Sequence, residues 1–76
     1  MTWRDRIAID PDVLLGKPVI KGTRIAVELI VDLLARGYST EQVVTQYDHI
    51  TPDDVRACLA YAAEVLQSAR VYALPR

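Results

Sequence analysis

One pattern occurs twice in this chain, and it limits the fold more than any other feature. Tyr38-Ser39-Thr40-Glu41-Gln42-Val43 and Ile50-Thr51-Pro52-Asp53-Asp54-Val55 begin twelve residues apart. Each places an apolar residue before a hydroxyl, a polar residue three positions after that hydroxyl, and a valine next. A hydroxyl at the N-cap accepts from the N3 amide, and the N3 side chain reaches back to the N-cap amide. The flanking apolar pair then staples the helix entry. Both stretches are therefore helix starts, and Pro52 at N1 strengthens the second. The first helix must be short, about Thr40 to Tyr47, because Asp48-His49-Ile50 forms a turn before the next cap. The second runs from Pro52 to about Ser68 or beyond.

A further helix precedes this pair, from about Val27 to Arg36. Asp32 and Arg36 are spaced for an i,i+4 ion pair. Val27, Leu29, Ile30, Val31, Leu33 and Leu34 occupy most of its girth, which predicts a largely buried helix. Gly37 is suited to the left-handed residue just past its end. A medium, a short and a long helix with tight turns make a three-helix unit. The last two have the spacing of a helix-turn-helix. The fold expected is mainly α, a homeodomain-like three-helix bundle with a short N-terminal β arm.

The arm precedes the helices. Ile7-Ala8-Ile9 is a strand candidate, stopped by Asp10-Pro11-Asp12, and Val13-Leu14-Leu15 is a brief apolar link. Gly16-Lys17-Pro18-Val19-Ile20-Lys21-Gly22-Thr23-Arg24-Ile25 then reads as a strand, a turn at Lys21-Gly22, and a second extended piece. Pro18 suits a strand start or an edge. A phosphate loop is excluded, since Lys17 follows the first glycine and Thr23 follows the second without a lysine between them.

Seventy-six residues make one domain, with an arm over 1–25, a helical unit over 26–70 and a tail over 71–76. A chain this short buries only about two thirds of its unfolded surface. Yet 51% of it is apolar, which points to an oligomer. The long helix carries two apolar stripes. Val55, Leu59, Ala62, Leu66 and Ala69 suffice to close on the other helices. Cys58, Tyr61, Val65 and Tyr72 then need a second copy of the chain, so a homodimer is expected. Trp3 is placed to pack on the body or on a partner.

Charge is distributed unevenly. Residues 1–25 hold Arg4, Arg6, Lys17, Lys21 and Arg24 against three acids, whereas residues 26–76 hold four arginines against seven acids. A surface for a polyanion therefore belongs on the arm. A charged edge that blocks aggregation explains the same residues. The long helix is a poor groove reader, because Asp53 and Asp54 in its first turn would face DNA phosphates. No apolar run reaches the roughly 20 residues of a membrane span, and the N-terminus lacks the apolar segment of a signal peptide. A single Cys is consistent with a reducing cytoplasm. Its place on an apolar stripe suits a buried residue rather than a nucleophile. One His and one Cys make no zinc site. Asp53 and Asp54 diverge by about 100° on a helix and cannot work as an acid–base pair. No catalytic constellation and no cofactor site emerges, and a non-enzymatic protein is expected.

The Gly16–Ile25 segment, the Gly37-Tyr38-Ser39 turn and Ile50 through Tyr61-Ala62 together resemble a family of small proteins, domain-of-unknown-function family 433. Its signature is G-K-P-[VI]-[IF]-[KR]-G-T-R-[IV], then an apolar helix, a G-x-[ST] turn and a helix-turn-helix ending in a tyrosine-containing helix. The match covers about residues 7–66. The resemblance implies a homeodomain-like fold with a small β arm. It also implies the role of an antitoxin in a type II toxin–antitoxin module, beside a toxin with a PIN-like ribonuclease domain, with operator DNA as a further ligand. Two alternatives stand beside it: a stand-alone DNA-binding regulator and a structural dimerisation module. On the antitoxin reading Arg24 would occupy the toxin's acidic metal pocket, since a guanidinium pairs bidentately with carboxylates. Pairing of Arg24 with Asp10 or Asp12 of its own chain is the competing role.

Overall fold

A computed structural model of the chain describes residues 2–68. The elements follow in order: a 3-10 turn at Trp3–Asp5, β1 (Ile7–Ala8), a left-handed turn at Leu14–Gly16, β2 (Val19–Ile20), α1 (Val27–Ala35), α2 (Thr40–Gln46) and α3 (Pro52–Ser68). The fold is mainly helical, as expected. Ala69, Tyr72 and the tail lie outside the described residues.

Both helix starts are formed by their own side chains. Ser39 Oγ accepts from Gln42 N at 3.1 Å, and Gln42 Oε1 accepts from Ser39 N at 2.8 Å. Thr51 Oγ1 accepts from Asp54 N at 3.2 Å, and Asp54 Oδ2 accepts from Thr51 N at 3.0 Å. Asp54 therefore completes a reciprocal capping box on α3. Helix α1 starts differently. Its N-cap, Ala26, has no side-chain acceptor, and Val27 N donates instead to Pro18 O of the arm at 3.0 Å. Its end is a Schellman motif, with Tyr38 N donating to Leu33 O, Gly37 N donating to Leu34 O, and Gly37 at φ +99°. The Asp32–Arg36 pair forms at 2.9 Å.

β1 and β2 pair antiparallel, Ile7 opposite Ile20 and Ala8 opposite Val19, and Val19 also bridges Ala26. Val19-Ile20 thus runs between β1 and the extended piece that leads into α1. β1 ends at Ala8, and Ile9 is exposed. The core joins the arm to the helices, with Ile7, Ile20, Val27, Ile30, Val43, Ile50, Val55, Ala57 and Cys58 in one cluster.

Two expectations about helix faces need correction. Helix α1 is not largely buried: only Val27 and Ile30 are enclosed, Leu29 is exposed, and Val31, Leu33 and Leu34 are half-buried. Two other helices and a two-stranded arm are too few elements to cover every face of α1. On α3 the expected division into two stripes fails as well. Cys58, assigned to a second copy, is 0% exposed in the chain's own core, whereas Leu59 and Leu66, assigned to that core, are exposed. Tyr61 is half-buried against Trp3, with ring centroids 4.8 Å apart and planes at 84°. Val65 remains exposed. The causes are facing and length: at about 1.5 Å per residue, α3 is nearly twice as long as α1. Cys58 lies on the face turned to the other helices and the arm, and Leu59 lies on the opposite face. Only the last turns, with Val65 and Leu66, reach past the contacts of Trp3 with Tyr61 and Glu64 and overhang.

Candidate functional site

The hairpin between β2 and α1 carries the arm's charge on a backbone held by hydrogen bonds. Gly22 takes φ +80°, which a side chain would oppose. Thr23 N and Thr23 Oγ1 both donate to Ile20 O, at 3.0 and 2.7 Å, and Ile25 N donates to Thr23 Oγ1 at 3.0 Å. Ile20 N donates to Ile25 O at 2.9 Å, and Lys21 N donates to Arg6 O at 2.7 Å. Lys21 and Arg24 project from this braced turn and are exposed. Neither forms a salt bridge among the described residues. Asp10, a suggested mate for Arg24, instead accepts from Asp12 N at 2.9 Å.

The other arm cations are taken up within the chain. Arg6 lies 3.0 Å from Asp54 and 3.6 Å from Asp53. Arg4 pairs with Glu64 at 3.4 Å and stacks over the Trp3 ring at 4.4 Å. Trp3 Nε1 also donates to Glu64. Lys17 pairs with Glu28 at 2.7 Å in an exposed ion pair. Arg4 and Arg6, expected to face a partner, thus tie the N-terminal turn to α3. The reason is the acidity of α3 itself, which draws the nearest guanidinium groups. That docking had no signal in the sequence, since the partners are 48 to 61 residues apart.

The same pairing changes the first turn of α3. Asp54 is spent on the cap and on Arg6, and Asp53 sits between Arg6 and Arg56, the latter at 3.3 Å. Asp53 stays half-exposed. His49 is exposed while Cys58 is buried. Burial, and then the Asp54 carboxylate, push the Cys58 thiol up from 9.0 to about 12, against a backbone hydrogen bond that lowers it. A thiol is nucleophilic as its anion. At pH 8 the folded protein should react with a thiol reagent two to three orders of magnitude more slowly than the urea-unfolded chain, roughly the loss in thiolate that the shift implies. The shift has a stability consequence. Above about pH 9 the unfolded chain loses this proton first, so stability should fall as pH rises toward 12. Equal thiol reactivity in the two states would contradict this placement. Among the described residues, no three His, Cys, Asp or Glu side chains form a group that could hold a metal ion. No described helix is long and apolar enough to cross a membrane.

Helices, caps and arm together define a small helix-turn-helix-type domain that presents a cationic β hairpin. The chain belongs to the family described as protein of unknown function DUF433, whose model matches residues 7–62. A crystal structure of a DUF433 member protein from Anabaena variabilis superposes with a TM-score of 0.78 at 26% identity, covering 84% of this chain and 63% of that one. Uncharacterized protein y4eO of Sinorhizobium fredii is 30% identical over 59 residues, 78% of this chain and 27% of that protein. The chain thus spans about a quarter of that relative's length and just under two thirds of the solved structure's chain.

Proposed function

We propose that the chain is a cytoplasmic antitoxin-like module that neutralises a PIN-like ribonuclease toxin, with the Lys21–Arg24 hairpin as its inhibitory element. One observation carries the reading. Among the described residues, Arg4, Arg6, Lys17, Arg36 and Arg56 are each paired with a carboxylate, whereas Lys21 and Arg24 are not. A guanidinium without a carboxylate mate has no ion pair to break before it meets an external anion, and the braced backbone beneath it adds no loop-ordering cost. A nuclease of this class gathers carboxylates to hold Mg²⁺, and such a pocket accepts a planar bidentate cation in the metal's place.

The test is co-expression with a PIN-like toxin encoded beside this chain. Arg24→Lys and Arg24→Ala should each weaken the complex by about tenfold or more, the scale of a charge-assisted hydrogen bond, with circular dichroism unchanged. Arg24→Lys keeps the charge and loses the fork, so its failure to protect cells separates geometry from simple attraction. Full protection by both variants overturns the plug.

The runner-up, a stand-alone DNA-binding regulator, draws on the helix-turn-helix geometry and on the removal of Asp54 from the surface by Arg6. It predicts that Lys21→Ala with Arg24→Ala lowers the salt slope of duplex binding by about 2 per chain, one per lost phosphate contact. The half-exposed Asp53 weighs against α3 as the reader.

A further inference from the structure

The overhang of α3 and the loop before β2 hold two features that the cationic hairpin does not use. The first is an apolar groove of about 360 Å³ between α1 and the second half of α3. Val31, Tyr61, Ala62, Val65 and Leu66 line it, and Lys17 and Glu28 stand at its edge. The second is the Leu14–Gly16 turn. Leu14 and Leu15 both take positive φ, +47° and +57°, a region that non-glycine residues rarely enter and that costs energy to hold. Leu15 is nonetheless 96% exposed, and it is not among the residues that line the groove of its own chain.

We propose that these two features form a homodimer interface, in which Leu15 of each copy enters the groove between α1 and α3 of the other. Two properties favour a second copy over a different partner. A two-fold interface must be self-complementary, with the same patch supplying projection and recess. Here the projection and the recess adjoin in the chain, since Leu15 and Gly16 lead directly into Lys17 and Pro18 at the groove. The groove edge carries one cation and one anion, 2.7 Å apart and both exposed. Under a two-fold axis Lys17 can face Glu28 of the partner subunit, and the exchange leaves neither charge unpaired. A strongly charged partner would satisfy only one of the two. Neither Lys21 nor Arg24 lines the groove, and the interface does not rest on the antitoxin reading.

Sedimentation velocity on the full chain, from about 1 to 100 µM, tests the interface. The parent should form a dimer in that range. Leu15→Gly removes the projection and also relieves the positive φ, so the monomer should melt no lower than the parent monomer. The dimer dissociation constant should nevertheless rise by about a hundredfold, because the contact is lost twice. Leu66→Glu, at an exposed position, should block the groove with a similar effect. Mixing the two variants should give a dimer that neither forms alone, about tenfold weaker than the parent's, because the intact Leu15 of one can enter the intact groove of the other and one of the two contacts is recovered. A parent that stays monomeric at 100 µM, a Leu15→Gly dimer as tight as the parent's, or a mixture that associates no more tightly than either variant alone would each overturn the proposal.

Discussion

Replacing Asp54 by alanine should lower the melting temperature by roughly 10–20 °C, although the residue carries a charge and opens a helix. Asp54 is only 7% exposed. Its Oδ2 accepts from Thr51 N at 3.0 Å and its Oδ1 accepts from Arg6 at 3.0 Å. Losing the cap costs about 1 kcal/mol. A charge-assisted hydrogen bond contributes about 1.5–3 kcal/mol, and that figure is reduced here because the Arg6 side chain is 35% exposed and keeps Asp53 as a second partner. The total is about 2–3 kcal/mol, and for a domain of this size each kilocalorie is worth about 4–8 °C. Asp54→Asn keeps an acceptor for Thr51 N without the charge and should recover the cap's share. Urea denaturation of Asp54→Ala, Arg6→Met and the double variant forms a cycle. Its coupling energy should be near 1 kcal/mol. A shift below about 3 °C for Asp54→Ala would show that Arg6 and Thr51 find other partners.

Ile30→Ala should be still more damaging. Ile30 is 0% exposed and lies in the cluster where α1 meets the arm and α3. Truncating such a side chain costs about 2–5 kcal/mol in lost transfer energy and residual cavity. A small domain has little more than that in total, so the variant should be largely unfolded at 37 °C by circular dichroism. Ile30→Val should cost about 1 kcal/mol. Leu29 supplies the comparison. It is the neighbouring residue on the same helix and equally apolar, but it is 37% exposed. Leu29→Ala should cost under about 1 kcal/mol. Equal losses at the two positions would mean that α1 is enclosed on all sides, the arrangement its composition suggests and its packing does not.

The helices were legible in the sequence because the signals that set them act over three or four residues. Ser39 with Gln42, Thr51 with Asp54, and Gly37 with its neighbours satisfy backbone groups that any helix leaves open. These groups find the same partners wherever the helix later packs. The hairpin at Lys21-Gly22 was readable for the same reason, through a glycine that a positive φ requires. Its exposed Lys21 and Arg24 were singled out by charge alone, but charge did not separate them from Arg4 and Arg6. That division depends on which cations come within reach of the acids of α3, and only the packed chain decides it. Arg6 meets Asp54 across 48 residues, and Trp3 meets Glu64 across 61. The choice of which apolar face of α3 lies inside has the same origin. Helical periodicity marks Val55, Cys58, Leu59, Tyr61 and Leu66 all as apolar and does not rank them. Burial of Cys58 and exposure of Leu59 follow from which face of α3 meets the arm and the other helices, and exposure of Leu66 from where those elements end. Local patterns determined the elements because hydrogen-bond capping is short-ranged; the surface that is left open was decided by tertiary structure, because burial depends on everything packed around a side chain.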